Sequence, residues 1–153
     1  AELGNADFVC SQTAQTGVLR RMIWLDREGP IAYLEPFKER LLARRVTRFD
    51  ENNWWKWGRR HHVSDAPRIY VNQKTRRPRP FFLNDCRNYD GAILALFPHR
   101  RDADAECLRD MLNDVDWAEL GFVCDGRFLF AQRSLAQALL PEDFAPFATR
   151  ALV

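Results

Sequence analysis

Residues 67–83 read Pro67-Arg68-Ile69-Tyr70-Val71-Asn72-Gln73-Lys74-Thr75-Arg76-Arg77-Pro78-Arg79-Pro80-Phe81-Phe82-Leu83. Two short apolar runs, Ile69–Val71 and Phe81–Leu83, flank a polar stretch that carries four cations and two prolines. β-branched and aromatic residues bounded by Pro and polar clusters predict strands over Arg68–Asn72 and Phe81–Leu83. Proline cannot donate to a sheet ladder, so residues 73–80 are expected as a loop or a solvent-facing edge. A third buried strand is predicted over Ala92–Phe97, after a Tyr89-Asp90-Gly91 turn.

Outward from this centre the pattern is mixed. Residues 1–17 are polar and read as irregular. Val18–Leu25 reads as a strand with Val18, Ile23 and Trp24 as core candidates. Ile31–Ala43 reads as an amphipathic helix, because Leu34, Phe37, Leu41 and Leu42 recur at helical spacing while Lys38, Glu39 and Arg40 face water. Asp102–Leu112 carries the clearest helical pattern, with Asp102 as its cap and Cys107, Leu108, Met111 and Leu112 on one apolar side. Phe122–Cys124 and Arg127–Ala131 flank Asp125-Gly126, a strong two-residue hairpin signal. Ser134 is placed as the cap of a short last helix ending before Pro141. The expectation is a single α+β domain over residues 1–153, with a small, largely antiparallel sheet and two to three helices.

The chain has 153 residues, 46% hydrophobic and 29% charged, which is ordinary globular usage with enough length for a real core. Its net charge of +2 hides an uneven distribution. Residues 1–43 carry −1, residues 44–101 carry +9 and residues 102–153 carry −6. A basic middle and an acidic tail produce a lopsided potential suited to a polyanionic partner. The same excess is also met on a basic face balanced by an acidic one. Cys10, Cys86, Cys107 and Cys124 form no CxxC pair, and Cys107 and Cys124 sit in apolar contexts that read as small buried hydrophobes. With no secretory signal they are expected as reduced thiols in a cytoplasmic protein. No apolar run approaches the roughly 20 residues a membrane helix needs. The start at Ala1-Glu2-Leu3, without methionine, reads as a piece of a longer protein.

Two constellations carry chemistry. The first is Asn53-Trp54-Trp55-Lys56-Trp57-Gly58-Arg59-Arg60-His61-His62. Its cations suit phosphates, and its rings suit stacking on exposed bases. The competing reading makes Trp54 and Trp57 core anchors with Trp55 as a partly exposed neighbour. The second is the Lys74, Arg76, Arg77, Arg79 loop, whose cations repel one another unless solvated or matched by anions. Arginine also suits bidentate contact with guanine in a major groove. Together these give Arg59, Arg60, Lys74, Arg76, Arg77, Arg79, Trp55, Trp57 and His61 as expected DNA-binding residues. The His61-His62 pair, with Cys86 and His99, makes a poor metal chelate, because adjacent histidines point to opposite faces of a strand. Phosphate-binding glycine loops, the GxSxG elbow and HExxH are all missing from the sequence. The acids at 50/51, 102/104 and 114/116 follow no nuclease pattern, so no residue is assigned a catalytic role.

Several short pieces resemble the C-terminal target-recognition region of N6-adenine DNA methyltransferases from restriction–modification systems. They are Pro67–Asn72, Pro80-Phe81-Phe82, Asn88-Tyr89-Asp90-Gly91, Met111-Leu112-Asn113, Gly121-Phe122, Arg127-Phe128 and Leu139-Leu140-Pro141, spread over most of residues 18–144. In that family a helix ending in a Leu-Asn step precedes a strand pair and a closing proline segment. The resemblance implies double-stranded DNA as the ligand, a bacterial or archaeal cytoplasmic setting, and adenine-N6 methyl transfer as the activity of a parent protein. The family's Asn/Asp-Pro-Pro-Tyr/Phe motif and its glycine loop for S-adenosylmethionine do not occur here. The cofactor is therefore expected only in a catalytic domain outside this chain, linked or separate. Two other readings compete: a basic protein–protein module with tryptophan anchors, and a small metal-dependent nuclease using the scattered carboxylates.

Overall fold

In the computed structural model, which describes residues 5–23, 29–58 and 64–147, strand β3 (Ile69–Asn72) is buried along its whole length. Side chains alternate across a strand, so both faces of the sheet must be covered for four consecutive residues to be buried. Ile69 and Val71 face one core with Phe81, Leu108, Leu112, Trp117, Phe122 and Phe130. Tyr70 faces a smaller core with Val9 and Ile93. β3 is central in an antiparallel sheet, between β5 (Phe81–Phe82) and β6 (Ile93–Leu96). The register pairs Val71 with Phe81 and with Leu94. A second antiparallel sheet has β8 (Arg127–Leu129) between β4 (Lys74–Thr75) and β7 (Val123–Cys124). The fold is mixed α+β, as the pattern of short buried strands predicts.

The chain divides into two compact units, residues 1–7 with 21–63, and residues 8–20 with 64–153. Both sheets just described lie in the second unit. Its longest helix, α3 (Ala105–Asp114), buries Leu108 and Leu112 one turn apart. Asp104, not Asp102, caps it, accepting a hydrogen bond from Cys107 N at 3.1 Å. Asp102 lies two residues too early and sits instead beside Arg100. Past the helix, Trp117 is buried and donates through Nε1 to Leu112 O at 2.7 Å. Its ring meets Phe81, Phe122 and Phe130 at centroid distances of 5.3, 5.3 and 5.4 Å. The Asp125-Gly126 turn has φ of 53° and 73°. Two successive positive values are what the predicted two-residue hairpin requires.

Arg68 is 4% exposed and forms no ion pair among the described residues. It donates to the carbonyls of Ser64, Ala66 (3.2 Å) and Arg87 (2.8 Å), and its guanidinium lies over the Phe97 ring. Backbone dipoles thus replace a counterion at the entry to β3. Asn113 clamps the edge strand β5: its Oδ1 accepts from Phe81 N at 2.9 Å and its Nδ2 donates to Phe81 O at 3.0 Å.

Several expectations are corrected. Residues 1–17 are not irregular throughout, because β1 (Asn5–Phe8) and a short helix α1 (Thr13–Thr16) form there, and β1 joins β2 (Arg20–Ile23) in a ribbon. Val18 is exposed, outside β2, while Trp24 lies outside the described residues. The predicted helix at 31–43 is a 3-10 turn over Ala32–Phe37 followed by α2 (Lys38–Leu42). Pro36 explains the break, since it has no N–H for a continuous α-helical ladder. Helix α4 (Gln132–Ala136) starts before Ser134, which therefore cannot cap it, and a last 3-10 helix spans Glu142–Phe147. Cys107 and Cys124 are exposed, because Cys107 falls off the Leu108/Leu112 face and Cys124 sits on the edge strand β7. No helix among the described residues is long and apolar enough to cross a membrane.

Candidate nucleic-acid interface

The cationic stretch is not a free loop from its start. Lys74 and Thr75 pair with Leu129 and Phe128 of β8, so β4 anchors the stretch on the second sheet. Thr75 Oγ1 then accepts from Arg77 N at 3.2 Å, which turns the chain immediately after the strand. Pro78 and Pro80 limit φ on either side of Arg79, and Pro80 is fully buried ahead of β5. The cations are therefore presented by a short, stiff connection between two strands.

Lys74, Arg76, Arg77 and Arg79 all line one cleft of about 780 Å³. Ser11, Gln15 and Asn72 complete its polar wall, and no carboxylate among the described residues lines it. The four cations are not equivalent. Arg79 is held by Asp114 at 3.0 Å, the last residue of α3, and by Asp110 one turn earlier at 4.0 Å. Acids there oppose the helix dipole, so a cation relieves the local potential. Arg76 Nη1 lies 3.5 Å from Asp125 O, at the limit of a hydrogen bond. Lys74 is exposed, and Arg77 Nε is buried without a hydrogen-bond partner among the described residues. A neighbouring cleft of about 770 Å³ shares Lys74, but Phe122, Leu129, Phe130 and Leu139 make its wall largely apolar.

Asn72, Ser11 and Gln15 were absent from the sequence-level site. Asn72 is 6% exposed, and its Nδ2 donates to Ser11 O at 2.7 Å across 61 residues of chain. The only sequence signal was a polar residue closing an otherwise apolar strand run.

The tryptophan constellation belongs to the first unit and the arginine stretch to the second. Trp54 and Trp55 are 2% and 7% exposed and meet edge to face at 6.0 Å. Trp55 is therefore packed in this structure rather than a partly exposed ring, and Trp57 is the half-buried one. Asn53 sets up the turn that carries them: its Oδ1 accepts from Asp50 N at 2.7 Å, and Trp54 N bonds Asp50 O at 3.1 Å. Arg44 then ties this turn to α2, donating to Leu41 O, Trp54 O and Lys56 O and covering the Phe49 ring. Burial pulls the Arg44 guanidinium pKa down from its ordinary value. This arginine, which opens the basic segment in sequence, is thus engaged with carbonyls. Lys38 lies over Trp54 and pairs with Glu51 at 2.6 Å. Arg59, Arg60, His61 and His62 lie outside the described residues.

No protein-family model, no curated protein and no solved structure matches the chain. The sequence pieces that resemble methyltransferase target-recognition regions fall mainly on scaffold: Ile69, Tyr70, Val71, Phe81, Leu112 and Phe122 are buried, and Asn113 clamps β5. The cleft cations lie between those pieces.

Proposed function

We propose that this chain binds double-stranded DNA through the cleft lined by Lys74, Arg76, Arg77 and Arg79. The observation that carries the reading is four cations on one polar wall that no carboxylate among the described residues lines. Such a wall suits consecutive phosphates, which supply most of the affinity in DNA complexes and position the protein on the duplex. The finer reading, taken from the sequence likeness alone, is that the chain serves as the specificity part of an adenine-N6 DNA methyltransferase. In that reading S-adenosylmethionine and the catalytic groups belong to a separate domain or subunit, and no residue of this chain does chemistry.

Titration of a fluorescent duplex by anisotropy tests the binding. Affinity should fall steeply between 50 and 200 mM salt, and the Arg76→Ala/Arg77→Ala variant should bind more weakly with a shallower salt dependence. Absence of binding at low salt, or binding indifferent to salt, would overturn the proposal. Heparin as competitor separates duplex preference from a generic polyanion surface, because a protein–protein module with a basic face treats the two alike.

A further inference from the structure

Residues 10–18 bring one uncommitted side chain to the cationic cleft. Thr13 is 3% exposed and forms the hub of this segment: its Oγ1 accepts from Cys10 N at 2.9 Å and donates to Val18 O at 2.7 Å. Thr16 Oγ1 donates to Gln12 O at 2.9 Å and accepts from Val18 N at 3.2 Å. Gly17, at a φ of 73°, closes α1 with its N–H on Thr13 O. Asn72 Nδ2, donating to Ser11 O, fastens the segment to the end of β3. The backbone is thus held by its own polar groups, and Gln15 stands outside that network. It is exposed, it lines the cleft, and its side-chain amide has no hydrogen-bond partner among the described residues. Of the other neutral side chains there, Asn72 serves Ser11 O, Thr75 serves Arg77 N, and Ser11 adds one short hydroxyl.

Resting on the DNA reading above, we infer that Gln15 is a specificity-determining residue that reads an adenine in the major groove, with Nε2 donating to N7 and Oε1 accepting from the N6 amino group. A glutamine amide carries a donor and an acceptor side by side. Phosphates and the deoxyribose of an internal nucleotide only accept, so they leave Oε1 unserved and set it among negative charge. Adenine alone among the four bases shows an acceptor and an amino donor together on its major-groove edge. The two walls of the cleft therefore do different work. Cations on the stiff 74–79 connection hold phosphates and fix the register, while an uncharged amide from a separate segment reads the base. The hydrogen bonds within residues 10–18 hold the backbone under Gln15 in advance, so binding orders only its side chain.

The test has two arms. In the first, wild type and Gln15→Ala each select duplexes from a randomised pool, and both are titrated with the wild-type selection at several salt concentrations. Wild type should enrich adenine at one position. Gln15→Ala should lose that preference and bind the selected duplex about tenfold more weakly. Its salt slope should not change, because glutamine neutralises no phosphate. No adenine preference in wild type, or one that the variant keeps, overturns the inference. Weakening toward every duplex alike marks a phosphate contact or a structural role and overturns it too. The second arm uses unaltered protein, so it stands whatever the substitution does to folding. The selected adenine is replaced by purine, which lacks the N6 amino group, and separately by 7-deazaadenine, which lacks the N7 acceptor. A loss of about tenfold with each supports the inference, and undiminished binding with either overturns it. Failure of wild type to bind any duplex is a different result, which removes the DNA reading and this inference with it.

Discussion

Arg79 offers the sharpest quantitative test of the cleft. Among the described residues, three of its four cations pair with no carboxylate, while Arg79 is held by Asp114 at 3.0 Å and Asp110 at 4.0 Å. Each phosphate neutralised contributes about −0.9 to the slope of log K against log salt. Three engaged cations give a slope of about −2.7, which is roughly a fortyfold loss of affinity between 50 and 200 mM salt. Replacing both acids, Asp110→Asn with Asp114→Asn, frees Arg79 for a fourth phosphate. The slope should then steepen to about −3.6, a loss of roughly 150-fold over the same range. The exposed pair stabilises the fold by only about 0–1 kcal/mol, so the variant should remain folded. Removing two acids also raises the net charge, and Glu142→Gln with Asp143→Asn serves as the charge-matched control. The assay is anisotropy of a labelled duplex at five salt concentrations. If the Asp110/Asp114 variant keeps the wild-type slope, or the control steepens equally, Arg79 is not a restrained phosphate contact and the reasoning fails.

Further outcomes concern the scaffold that presents the cleft. Asn113→Ala leaves both backbone groups of Phe81 without their partner and should cost about 2 kcal/mol, read as a lower urea midpoint at unchanged m. Asp104→Ala should cost about 1 kcal/mol and Asp102→Ala less than about 0.5, a contrast that thermal melts will resolve. Burial raises the Tyr70 hydroxyl above its ordinary pKa of 10.0, with the Arg68 charge opposing. The native state therefore holds this proton after the unfolded chain has released it. The associated stability is complete below pH 10 and declines as pH rises through 10 toward the folded value. Tyr70→Phe should lose about 1 kcal/mol near neutral pH, with the Tyr70 Oη to Cys86 O bond of 2.6 Å, yet show a shallower alkaline decline in urea melts.

Local signals explain which elements were legible. The Ile69–Val71 and Ile93–Leu96 runs announce strands because their apolar content is high at every position, whichever face they present. Asp125-Gly126 announces its turn because few residue pairs accept two positive φ values. The Leu108/Leu112 spacing marks helix α3, but its cap is not legible locally because Asp102 and Asp104 are chemically identical candidates. Cys107 and Cys124 were misjudged from apolar neighbours, since exposure depends on which face meets the core. The tryptophan turn is illegible for a similar reason. Trp54 and Trp55 are both buried although they are adjacent in sequence, which irregular backbone permits and regular periodicity does not anticipate.

By itself the sequence determined that residues 67–97 would form buried antiparallel strands around a cationic, proline-stiffened connection. Backbone sterics and side-chain alternation act over a few residues, so such features are written locally. Only the tertiary structure decided what each cation does. Arg44 and Arg68 bind carbonyls and Arg79 binds two acids of α3, while Lys74, Arg76 and Arg77 line the cleft with no carboxylate partner among the described residues. It also brought Ser11 to Asn72 across 61 residues of chain. Charge is a property of the residue, but its availability is set by neighbours that are distant in the chain.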